Sequence, residues 1–219
     1  RIDLLGEADA RARQLGDPEL IGTVLMAEYL ALWDPTTIDR RRDIAVELGR
    51  MARATGSVEL EFFAGFFAAF GAAERGLLAD ARRGLERLGE VVTVAHNPYF
   101  GFLVERFLLS LAIVTGEPDL QARVDELASR YESTHADTTG TWAVQTGMLA
   151  RQRGGFAAVA PTLRSMVEDR PGIGPNWVAP YGLALVAAGD RSGAEAVLER
   201  LELPTLDYFW LTTLQTVAE

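Results

Sequence analysis

With Cys and Lys both absent, two histidines and 31 acidic residues are what this 219-residue chain offers to coordinate a metal or act as a strong base near neutral pH, and six serines are candidate nucleophiles. His135 stands two residues before Asp137 in a polar stretch, 133–141, a His-x-Asp pattern that by itself is a weak metal signature. His96 adjoins Asn97-Pro98 at an expected helix junction, where a structural or exposed imidazole is the better reading. The acid pairs Glu59/Glu61 and Asp125/Glu126 have the residue types that glycoside hydrolysis needs. Residues one or two apart, however, point to different sides of a helix, and a solvated surface accounts for them. None of Ser57, Ser110, Ser129, Ser133, Ser165 and Ser192 sits in a Gly-x-Ser-x-Gly elbow, and only Ser133 has a histidine nearby in sequence. No residue is therefore assigned a catalytic, cofactor-binding or metal-ligating role.

The absences exclude whole chemistries. With no Lys there is no P-loop lysine and no Schiff base to pyridoxal phosphate. With no Cys there is no thiolate nucleophile, disulfide or cysteine zinc site, which fits a cytoplasmic setting. A formal charge of −10 repels a phosphate backbone, so direct nucleic-acid contact is not expected. The one basic run, Arg40 to Arg42, lies between Asp39 and Asp43 and is expected to be a solvated helix face. Residues 170–175, Arg-Pro-Gly-Ile-Gly-Pro, are expected to be a rigid non-helical connector, without the Lys and Ser/Thr of a phosphate loop. No apolar run is long enough to span a bilayer, and no signal peptide is visible.

The elements that carry these residues read as helices throughout. Apolar residues recur at intervals of three and four, as at Leu77, Leu78, Ala81, Leu85, Leu88 and Val92, and alternating strand-like runs are missing. Asp17-Pro18, Asp34-Pro35 and Asn97-Pro98 each combine an N-cap side chain with Pro at the first helical position. Gly16, Gly56, Gly76, Gly116, Gly154 and Gly189 each follow an apolar run and are expected to end helices in the left-handed conformation. About twelve helices result, starting near Arg1, Pro18, Thr37, Val58, Leu77, Pro98, Pro118, Thr139, Phe156, Pro175, Arg191 and Asp207. Alternate starts are spaced by roughly forty residues, shortening toward the end, which is the scale of a two-helix repeat. Pro161 predicts a late start for the helix near Phe156, and Pro180 a kink or late start for the helix near Pro175.

The clearest internal match pairs Trp142, Gly147 and Gly154 with Trp177, Gly182 and Gly189, with Trp210 continuing the tryptophan series. An indole would anchor each first helix, a small residue would let the next helix approach, and the second Gly would end the helix. The rows Phe62, Phe63, Phe66, Phe67, Phe70 and Tyr99, Phe100, Phe102, Phe107 are expected to pack between adjacent hairpins, with a partner or ligand surface as the alternative.

The pattern at Trp142-x4-Gly147-x6-Gly154 and at Trp177 resembles the tetratricopeptide repeat (TPR) family, as do Gly76 to Ala81 and Gly189 to Ala194 at the turn into a second helix. The resemblance implies an all-α, TPR-like α-α superhelix of about six antiparallel hairpins, with residues 1–219 forming one helical repeat domain. Residues 11–17, 183–190 and 203–211 are also similar to the long helical regions of large bacterial LuxR-type and adenylate-cyclase-linked ATP-dependent transcriptional regulators. Together with an opening Arg1 and a last stretch, 207–219, that reads as helix, this leads to the expectation of a fragment of a larger multidomain protein. The resemblance implies a non-catalytic scaffold whose partner is another protein or another domain of the same chain. A small-molecule inducer is the alternative occupant.

Overall fold

In the computed structural model, residues 2–33, 35–133, 138–169 and 175–201 are described, and all regular structure among them is helical. The helices are α1 (Ile2–Leu15), α2 (Pro18–Ala31), α3 (Ile38–Thr55), α4 (Val58–Glu74), α5 (Leu78–Ala95), α6 (Pro98–Val114), α7 (Leu120–Tyr131), α8 (Thr138–Gln152), α9 (Ala160–Glu168), α10 (Pro175–Ala187) and α11 (Arg191–Glu199). Short 3-10 turns at Pro35–Thr37 and Phe156–Val159 precede α3 and α9. The chain divides into two compact units, Arg1–Trp142 and Ala143–Glu219. The expected twelfth helix near Asp207, Trp210, Asp34, His135 and the connector 170–174 lie outside the described residues.

Local signals set the boundaries. The Asp17 carboxylate accepts hydrogen bonds from the backbone N–H groups of Glu19 and Leu20, and Asn97 accepts one from Tyr99, so each satisfies donors left open at a helix start. The six glycines expected to stop helices are the six with positive φ among the described residues, from +67° at Gly16 to +80° at Gly189. Two ends use other residues: His96 (φ 51°) closes α5 and Asp119 (φ 53°) precedes α7 in the same left-handed region. Pro161 delays α9 as expected, because it sits at the second position, where no intrahelical donor is needed. Pro180 does not delay its helix: α10 already begins at Pro175 and carries Pro180 inside it.

In the first unit, amphipathicity alternates from helix to helix. The stripes Ile44, Ala45, Leu48, Ala52 on α3, Ala81, Leu85, Leu88 on α5 and Leu120, Val124, Leu127 on α7 bury one face each. In contrast, α4 buries Leu60, Phe62, Ala64, Phe66, Phe67 and Ala69, and α6 buries Phe100, Phe102, Leu103, Val104, Leu109, Leu111, Ala112 and Ile113, so both are apolar over most of their circumference. Such helices need neighbours on several sides. α4 packs against α3 and α5 along its length, and its rings reach Tyr29 of α2 and Phe100 and Phe107 of α6. The aromatic rows are therefore mainly core, with Phe62, Phe67 and Phe102 almost fully enclosed.

Most ring contacts that link α2 and the Trp33 that follows it, α4 and α6 recur at sequence separations of 37 or 38 residues, with Phe66–Phe107 at 41 the exception. Tyr29 stacks on Phe67 (centroids 3.8 Å, planes 4° apart) and Phe62 on Phe100 (3.9 Å, 4°), each pair 38 residues apart. Trp33 meets Phe70 at 4.4 Å and Phe70 meets Phe107 at 5.1 Å, each pair 37 residues apart. The separation is shorter than the 40-residue spacing of the helix starts Pro18, Val58 and Pro98. One helix presents its trailing side to the leading side of the next, so the residues that touch are not equivalent positions.

The second unit has its own small core of Leu163, Tyr181, Ala184, Leu185 and Ala194, against which Phe156 and Trp177 pack. Here a Cβ on Gly147 would lie 3.7 Å from Phe156, and one on Gly182 would lie 3.5 Å from Val197. Both distances are ordinary van der Waals contact, so a Cβ would fit at either position and the approach of the following element does not depend on glycine there. Two equivalences expected from the 35-residue offset do not hold: Leu163 is buried but Leu198 is 42% exposed, and the two tryptophans have unlike surroundings. Trp142, in the first unit, donates its indole N–H to Asp125 at 2.8 Å, whereas Trp177 packs on the apolar cluster.

Candidate interaction site

The most elaborate polar arrangement among the described residues lies where α2, α3 and α4 meet. Arg41 occupies the apolar stripe of α3, four residues before Ala45 and seven before Leu48, and only 1% of its side chain is exposed. Its Nη1 and Nη2 donate to the two carboxylate oxygens of Glu74 at 2.7 and 2.9 Å. Its guanidinium carbon lies 5.5 Å from the Tyr29 ring centroid and 5.7 Å from that of Trp33. A buried cation requires such compensation, because desolvation opposes its charge. Burial acts to lower the Arg41 pKa, but the hydrogen bonds and charge of Glu74 outweigh it and the pKa is raised. Burial also pushes the Tyr29 phenol up to about 12, and its hydroxyl donates to the Phe67 carbonyl at 3.2 Å.

This corrects the expectation for the basic run. Arg40 pairs with Glu28 and exposed Arg42 with Asp39 and Asp43, as a solvated face would, but Arg41 is a core residue bridging two helices. A signal was present in the sequence: Arg41 shares the three-and-four spacing of Ile44, Ala45, Leu48 and Ala52, so the apolar stripe of α3 contains one arginine.

Beside this bridge runs a groove of about 350 Å³ between α3 and α4, lined by Arg41, Arg42, Val46, Arg53, Gly71 and Arg75, with Glu74 as its acid. Further ion pairs join residues at similar sequence separations, namely Arg13 of α1 to Glu47 of α3 at 2.7 Å, Arg75 after α4 to Asp39 of α3 at 3.4 Å and Arg82 of α5 to Glu117 after α6 at 2.5 Å. On α6 and α7, Tyr131 donates to Glu105 at 2.8 Å while Arg130 grips the other Glu105 oxygen at 2.6 Å. Burial, followed by the bond to Glu105, pushes the Tyr131 phenol up to about 12.

Among the described residues, the chemistry-bearing side chains singled out in the sequence are not gathered into one place. His96 is exposed at the end of α5, with Nδ1 2.8 Å from the Val94 carbonyl oxygen. Glu59 and Glu61 are exposed in the first turn of α4, and Asp125 and Glu126 engage Trp142 and Arg130 respectively. Ser57 caps α4, Ser110 and Ser165 hydrogen-bond within their own helix regions, and Ser192 bonds to Asp190. Among the described residues no group of three or more metal-ligating side chains converges, and no helix is long and apolar enough to cross a membrane. Comparison of the chain with protein-family models, curated proteins and solved structures gives no match.

Proposed function

We propose that this chain is a TPR-like helical-repeat scaffold, a non-catalytic interaction arm that contacts a protein partner or another domain of a larger signalling or transcriptional regulator. The observation that supports this reading is the ladder of ring contacts at 37–38 residues across α2, α4 and α6. Repeats joined edge to edge in this way present extended surfaces, and binding is the usual use of such surfaces. The resemblances noted in the sequence supply the regulator context.

The test uses the full-length protein. Because the chain has no Lys, amine-reactive reagents do not report on it, so a photoreactive phenylalanine analogue is placed at exposed Val94 and, separately, at exposed Val114. The expected result is a crosslink from at least one position to a defined partner or to another domain of the same polypeptide. Irradiation that yields only the unlinked chain at both positions would count against the proposal.

A further inference from the structure

We infer that the groove between α3 and α4 binds a small organic carboxylate with a short apolar body, a function additional to the scaffold role. The chain as a whole carries a formal charge of −10, yet this groove is lined by Arg41, Arg42, Arg53 and Arg75 against Glu74 alone. Arg41 is committed to Glu74, and Asp39 and Asp43 partly offset Arg42 and Arg75 through exposed contacts of 3.2–3.4 Å. Such exposed pairs are weak and exchangeable. Arg53 lies across Gly49, its Nη1 3.6 Å from where a Cβ would stand, and engages no carboxylate among the described residues. A guanidinium fork in that position matches a carboxylate in two-point geometry.

The walls suit an apolar body. Val46 is 52% exposed, Ala68 is exposed, and a Cβ at Gly71 would meet nothing within 4 Å, so the space above α4 is open. A volume of about 350 Å³ lies within the range of small-molecule clefts. The carboxylate end belongs at Arg53, beside Gly49, and the apolar end runs along Val46 and Ala68 toward Gly71.

The experiment titrates octanoate, octanol and an acidic peptide with a blocked C-terminus into the intact chain, following amide shifts by nuclear magnetic resonance. Saturable shifts at Val46, Gly49, Ala68 and Gly71 are expected with octanoate, with octanol at least about tenfold weaker. Gly71→Leu, which fills the groove, and Arg53→Glu, which reverses the charge there, should each weaken octanoate about tenfold, with the unliganded thermal midpoint not lowered and, for Gly71→Leu, slightly raised by helix propensity. Because neither side chain is in the core, a loss of binding with the midpoint retained is specific to the groove. Equal affinity for octanol, absence of saturation up to roughly 10 mM octanoate, or unchanged binding by both variants would overturn the inference. Saturation by the peptide but not by octanoate would overturn it in favour of a protein occupant. Val94 and Val114, used to test the scaffold, lie outside this groove, so either proposal can fail alone.

Discussion

Tyr29 shows how the environment of one side chain becomes a property of the folded chain. Its ring is stacked on Phe67, its hydroxyl is satisfied by the Phe67 carbonyl, and burial raises its pKa from 10 to about 12. The folded state therefore holds the phenolic proton more tightly than the unfolded state. The resulting stability is complete below pH 10 and is lost as pH rises from 10 through about 12. Two pKa units correspond to about 2–3 kcal/mol. The absence of Lys makes this measurable, since tyrosine phenols are then the main side chains titrating in that window. Tyr29→Phe should lower stability by at least ~0.5–1.5 kcal/mol at pH 8, through loss of its buried hydrogen bond to the Phe67 carbonyl together with its hydrogen bond with Arg41. Its further loss between pH 10 and 12 should be smaller than that of the native chain by about 2–3 kcal/mol. Urea unfolding at both pH values measures the two effects, and equal alkaline slopes would show that Tyr29 ionises as if exposed. Tyr131 remains in both proteins and contributes a residual slope.

At the scale of the helix, the legible features were those written in adjacent residues. Asp17 and Asn97 could be assigned as caps because a cap bonds within three residues, and the six stopping glycines because a left-handed turn favours the residue without a Cβ. Arg41 and Glu74 are 33 residues apart, and nothing local in either says that the two helices meet there. The groove was hidden for the same reason, since Gly49 and Gly71 acquire a shared space only when α3 and α4 lie side by side. His96 and Asp119 in left-handed turns were missed because the expectation relied on glycine. Close approach also separates glycines that look alike in sequence. A Cβ at Gly65 of α4 would stand 2.7 Å from Leu88 Cδ2 of α5, whereas one at Gly89 of α5 would meet nothing within 4 Å. Gly65→Leu should therefore destabilise by ~1–3 kcal/mol through overpacking. Gly89→Ala should stabilise by ~0.5–1 kcal/mol through helix propensity alone. Urea midpoints give both values, and a stabilised Gly65→Leu would mean that α4 and α5 separate more easily than their packing implies.

For the first unit taken whole, the arrangement of contacts dictates where stability resides. α4 is enclosed by α3 and α5 and by rings of α2 and α6, while α1 buries only Ala12 among its described side chains. In a chain of neighbour-to-neighbour interfaces, local opening should begin at the least enclosed helix and reach the most enclosed one last. Amide hydrogen exchange should accordingly be slowest in α4 and α5 and fastest in α1. Phe62 supplies a directional test, because its ring is fully buried and stacked on Phe100 of α6. Phe62→Ala should cost about 3–5 kcal/mol, from lost burial and the cavity left behind. If interfaces act between neighbours, protection should fall most in α4 and α6, less in α3, and least in α1. A uniform loss across α1 to α7 would instead identify one cooperative core. The regular aromatic spacing would then reflect how these helices pack without being the unit in which they fold, and the repeat reading of the chain would lose its energetic basis.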